Sequence, residues 1–190
     1  MVILVGHSRV RRELAEGQYA MRCVECEQVA TKLNVSALRD VNPPQLERAR
    51  ADFDPVVFRR ARHVITEINR TLAVAEAINH GNWDRVGGLM EESHASLRDG
   101  FQVSCEELDL LIELVTAQEG VYGSRMTGGG FGGCTVSLVK RDACDAVTCM
   151  VRDGYHRRTG LDPDLFVTGV TGGSHIIENL SCATDLANSG

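Results

Sequence analysis

The sequence has no basic excess: 20 Lys and Arg stand against 26 Asp and Glu, for a net charge of −6 and a pI near 5.5. A chain that neutralises a phosphate backbone needs a positive surplus or patch, so this balance argues against a nucleic-acid partner. No apolar run reaches the roughly 18 residues that a membrane span needs, and residues 1–5 lack the basic region that opens a secretory signal. No membrane contact is expected, and a cytoplasmic location is. The 7 cysteines are an odd number scattered from Cys23 to Cys182, unlike the paired framework of a small secreted domain, which points to reduced thiols. No internal repeat is visible. What is present is 190 residues at 43% hydrophobic, enough to bury a core in one domain or one and a half.

The chain opens directly on a strand-like run at residues 2–5, with nothing before it to cover the strand, as though its sheet neighbours lay elsewhere. Residues 16–33 then carry Tyr19, Cys23, Cys26, Val29, Ala30 and Leu33 at helical spacing. Asn42, Pro43 and Pro44 break the pattern, and a short helix can restart over 45–52. The strongest periodicity runs from 56 to 80 through Val57, Ala61, Val64, Ile65, Ile68, Leu72, Ala75 and Ile78, with Gly81 at the stop position. A second helix over 84–98 follows after a short turn, which favours an antiparallel pair. Ser104 and Glu107 have the spacing of a capping box ahead of Leu108, Leu111, Ile112, Leu114 and Val115. Strands on either side of a glycine cluster, a helix over 142–158 and a strand over 165–170 complete the order. That order predicts an α+β fold, with long helices on one face of a mostly antiparallel sheet. The last stretch, 181–190, reads as a tail.

Gly128, Gly129, Gly130, Phe131, Gly132 and Gly133 place five glycines in six positions. Glycine at this density is expensive in chain entropy unless positive φ or a close approach to the backbone is required. Exposed main-chain N–H groups can then form an anion-binding nest. The spacing Gly128, Gly130, Gly133 matches G-x-G-x-x-G, but a dinucleotide fold needs a helix after the loop, and here a strand follows. Cys134 and Thr135 after Gly133 exclude a Walker A ending, and the His-Arg-Asp and Asp-Phe-Gly signatures of protein kinases are missing. A tight glycine-rich hairpin packed on a helix remains the purely structural alternative.

Cys23 and Cys26 form a C-x-x-C without a second pair at zinc spacing, and buried structural thiols are expected. The dispersed histidines, including His94 beside Ser93, have no triad context. Glu91 with Glu92, and Asp109 with Glu113, read as solvated helix faces. No catalytic acid or base is assigned.

The segment from Val121, VYGSRMTGGGFGGCTV, closely resembles the third conserved motif of galactokinases, within the GHMP kinase superfamily. YAMRCVECEQVA from Tyr19, ARHVITEINRT from Ala61 and LMEESHASLRDGFQVSCEELD from Leu89 resemble further galactokinase segments in the same order. The resemblance implies a ferredoxin-like GHMP kinase C-terminal domain over 41–180, preceded by a remnant of an N-terminal S5-like domain over 1–40. It also implies ATP-dependent phosphorylation of the galactose 1-hydroxyl, with ATP and Mg2+ as cofactors. By the same resemblance Tyr19 contacts the sugar, and the loop Gly128 to Gly133 lies along the active-site cleft.

The family's Gly-Arg-x-Asn-Leu-Ile-Gly-Glu-His, Gly-Leu-Ser-Ser-Ser-Ala and Met-Asp-Gln segments do not occur in this sequence. The expectation is therefore a C-terminal half, inactive alone, whose partner is a separate N-terminal half holding most ATP and Mg2+ ligands. A non-catalytic sensor or interaction module is the alternative, and an incomplete gene product a third possibility. Arg9 stands where galactokinases usually have asparagine, Cys23 where arginine is common, and residues 171–174 replace a Gly-Ala-Gly.

Overall fold

The computed structural model describes residues 1–11 and 15–170. Among these residues four strands form one antiparallel sheet: β1 (Val2–Arg11), β2 (Val121–Thr127), β3 (Gly132–Val139) and β4 (Asp164–Thr168), in the order β2-β3-β1-β4. β1 is an interior strand. It runs from Val2 opposite Val139 to His7 opposite Cys134 on one side, and from Ile3 opposite Thr168 to His7 opposite Asp164 on the other. The expectation of absent sheet neighbours is corrected here, because both come from more than 120 residues away in the same chain and no local pattern reveals them.

Between β1 and β2 lie α1 (Ala15–Lys32), the short α2 (Pro43–Arg48), α3 (Pro55–Asn79), α4 (Trp83–Ala95) and α5 (Glu106–Thr116); α6 (Cys144–Thr159) joins β3 to β4. The starts of α2, α3 and α4 follow from their caps. Asn42 accepts from the Gln45 N–H, Asp54 from those of Val56 and Val57, and Asn82 from that of Arg85, with proline at the first turn of α2 and α3. Gly81, at φ 65°, follows α3 as expected. Ser104 is a correction. α5 starts after Cys105 with no side-chain cap, and the Ser104 hydroxyl donates to Asp109 instead.

Alternation along β1 turns Val2 and Leu4 onto one face of the sheet. There they meet Leu111 and Val115 of α5 and Val147, Val151 and Tyr155 of α6. The other face receives α4 at its β2 edge, where Gly87 meets Gly123: a Cβ on Gly87 would lie 1.8 Å from the Tyr122 carbonyl oxygen. Val29 and Ala30 of α1 share a further core with Phe58, Ala61 and Ile65 of α3, across the expected boundary at residue 40. α4 runs on into a wider π-turn over Ser96–Phe101, closed by Gln102 in the left-handed region at φ 59°.

Candidate active site

The glycine loop is the turn between β2 and β3. It lines a cleft of about 460 Å³ with His7, Val10, Thr127 and Cys134. Gly128, Gly130, Gly132 and Gly133 all have positive φ, as does Phe131 at 56°. The glycines are nevertheless not equivalent. A Cβ on Gly128, Gly129 or Gly133 would meet nothing within 4 Å, whereas on Gly130 it would lie 2.1 Å from the Val103 carbonyl oxygen. That same oxygen accepts from the Phe131 N–H at 2.6 Å. One glycine therefore seats the loop on residue 103, while Gly128, Gly129 and Gly133 leave its outer side bare of side chains.

Facing the loop, β1 is kinked. Its register against β3 slips between His7 and Arg11, and Arg9 between them adopts φ 61°. His7 Nδ1 accepts from the Arg9 N–H at 3.1 Å, and Ser8 Oγ from the Val10 N–H at 3.3 Å. Below the kink, the buried Tyr155 hydroxyl donates to the Ser8 carbonyl at 2.7 Å. Asparagine, which the resemblance puts at position 9, would tolerate the left-handed region better than arginine does. Arg9 is tethered by its ion pair with Asp164 at 2.6 Å.

Tyr19 does not line the cleft. It stands on α1 with 54% of its surface exposed, and the contact between its helix and the loop is made by Arg22, one turn on. Arg22 is 3% exposed, and its guanidinium carbon lies 5.9 Å from the centroid of the Phe131 ring. Sequence reasoning passed over Arg22. The available signal was its spacing, since positions 22, 26, 29, 30 and 33 fall on one helical stripe and a charge there must be buried.

The remaining polar residues divide as side-chain partners dictate. Ser93 Oγ donates to Glu67 Oε2 at 2.6 Å, while His94 Nε2 lies 3.1 Å from Asp109 Oδ1, so the two adjacent residues serve separate networks. Glu92 pairs with Arg85 at 3.3 Å, and Glu113 with Arg158 at 2.6 Å. Of the C-x-x-C pair, Cys23 is exposed, contrary to the expectation of two buried thiols. Cys26 is half-buried, and burial first, with Cys23 and Glu25 nearby, pushes its thiol up to about 11, far from a reactive thiolate. Among the described residues no three His, Cys, Asp or Glu side chains group to hold a metal ion.

The family model described as GHMP kinases C terminal matches residues 74–157, from the end of α3 into α6. The matched span holds the glycine loop with β2 and β3, while β1 and β4 of the sheet lie outside it, so this part of the chain is similar to the C-terminal domain of GHMP kinases. The chain is similar to galactokinases. The Bos taurus galactokinase is 46% identical over 156 residues, covering 82% of this chain and 40% of the relative. That of Actinobacillus succinogenes is 40% identical over 179 residues, covering 92% and 46%. The crystal structure of Lactococcus lactis galactokinase complexed with galactose superposes with a TM-score of 0.83 at 34% identity, again covering 92% of this chain and 46% of the other. The chain thus spans under half the length of the relatives it matches.

Proposed function

We propose that this chain supplies the C-terminal part of a galactokinase active site, in which ATP phosphorylates the 1-hydroxyl of galactose in the cytoplasm. The observation that carries the reading is the loop 128–133, bare of side chains on its open side beside the kink of β1, in a chain similar over most of its length to galactokinases. In this reading the nucleotide phosphates pass along the loop main chain, and Tyr19 offers the exposed face of α1 to the sugar. Phosphoryl transfer needs phosphates, Mg2+ and attacking hydroxyl held in line while charge develops. The serine-rich phosphate loop and the catalytic base that do this in galactokinases are not in this sequence. They, and the Mg2+ ligands, would come from an N-terminal half that completes the enzyme. ATP-dependent phosphorylation of galactose should be measured for the purified chain with and without a supplied galactokinase N-terminal half. Turnover only in the mixture supports the reading. Turnover by the chain alone overturns this division of groups, and none in either case overturns the activity.

A further inference from the structure

Arg22 is the group through which the proposed sugar side and phosphate side touch. Its guanidinium donates to four acceptors: the Gln18 carbonyl at 3.3 Å, Gln18 Oε1 at 3.0 Å, the Phe101 carbonyl at 3.0 Å and the Gln102 carbonyl at 3.1 Å. The next carbonyl, Val103, accepts from Phe131 in the glycine loop. Three consecutive carbonyls are thereby divided, two to the helix that carries Tyr19 and one to the loop. A second link runs in parallel: Arg60 Nη2 donates to Gln102 Oε1 at 3.2 Å and pairs with Glu25 of α1. The strut between them is the left-handed Gln102, whose conformation an isolated chain would not hold.

We propose that Arg22 is a positioning residue of this site: it fixes where Tyr19 and its helix stand relative to the main chain of residues 128–133. The proposal rests on the galactokinase reading for its meaning in catalysis, and on the contacts alone for its structural content. Lysine cannot replace arginine here. A single ammonium is a compact charge with three donors, whereas the planar fork reaches carbonyls on two separate segments at once.

The test has two arms. In hydrogen exchange of the full chain, Arg22→Lys should speed amide exchange in peptides covering 100–103 and 128–133 by about tenfold, leaving those of α5 and α6 unchanged. Unchanged loop exchange overturns the proposal, and so does a uniform acceleration that includes α5 and α6, because that is loss of global stability. In the chain completed with the N-terminal half, Arg22→Lys should raise KM for galactose about tenfold and lower kcat, with KM for ATP within about twofold. A fall in the amount of active enzyme with both KM values unchanged overturns it. If the wild-type mixture turns over nothing, the galactokinase reading fails, and the exchange arm still decides whether Arg22 locks the helix to the loop.

Discussion

Replacing Gly130 by alanine should destabilise the fold sharply, while the same change at Gly129 should not. At Gly130 the backbone stands at φ 85°, and placing a β-carbon in the left-handed region costs about 1–2 kcal/mol. The methyl group would lie 2.1 Å from the Val103 carbonyl oxygen, 2.8 Å from Met126 Cε and 2.9 Å from Val103 Cβ. Met126 can swing its terminal methyl aside. The carbonyl cannot move freely, since it accepts from Phe131 at 2.6 Å, and separating that pair leaves buried polar groups unmet at about 1–3 kcal/mol. Together these give a loss of about 3 kcal/mol, which in a chain of this size lowers Tm by about 6–12 °C.

Gly129 has neither a positive φ nor any atom within 4 Å of its notional β-carbon, so Gly129→Ala should stay within about 0.5 kcal/mol of wild type. Melts of the two variants followed by circular dichroism under one scan rate decide the matter. Equal midpoints would refute the argument that one glycine seats the loop and its neighbour only clears it. In the completed enzyme Gly129→Ala should still lose turnover, because its methyl group intrudes on the open side where phosphates are proposed to pass.

Arg9→Asn should raise stability by about 0.5–1 kcal/mol, read as a higher denaturant midpoint, because asparagine relieves left-handed strain and the Arg9–Asp164 pair that is lost is half exposed and worth little. Tyr155→Phe should cost about 1–2 kcal/mol in the same assay, since it leaves the Ser8 carbonyl in the core without its donor. Burial, with the Arg70 and Arg125 guanidiniums adding to it, holds His63 down at about 4. The unfolded chain takes up this proton near pH 6.5 and the folded chain only near 4, so stability present above about pH 6.5 is lost as pH falls through that window, by on the order of 2–3 kcal/mol. Stability titrations from pH 7 to 4 should therefore be less steep for His63→Asn than for wild type; parallel curves would sink the assignment.

The helices were legible because their signals are local. The apolar period of α3 and the Gly81 that follows its end are both readable within a few residues, whereas the Asp54 cap before Pro55 went unread. The capping reading at Ser104 failed because Asp109, one turn into the helix, competes for the hydroxyl. The central place of β1 could not be read, since its partners are separated from it by most of the chain. Within the site, the six-residue loop stood out by composition, yet the different duties of Gly129 and Gly130 are written in the position of residue 103, which no pattern of glycines encodes. Arg22 had a signal in its spacing, and its meaning came only with Phe101 and Gln102 brought beside it.

Strain gives the site its coherence. Four non-glycine residues among those described have positive φ: Arg9, Asn34, Gln102 and Phe131. Asn34 ends a helix, where asparagine is at ease. The other three converge on the glycine loop, and each is held by a bond from a different element: Tyr155 of α6 grips the carbonyl preceding Arg9, Arg22 of α1 grips the carbonyl of Gln102, and the Val103 carbonyl grips the N–H of Phe131. Backbone in these conformations costs about 1–3 kcal/mol per residue and persists only where the surroundings over-determine it. A plain β-hairpin could place a residue such as Phe131 at positive φ, but it would call for neither Arg9 nor Gln102 in that region. Each of the three is fastened from outside the loop, so the course of the main chain beside Phe131 is set by contacts from α1, α6 and residue 103 rather than by the turn alone.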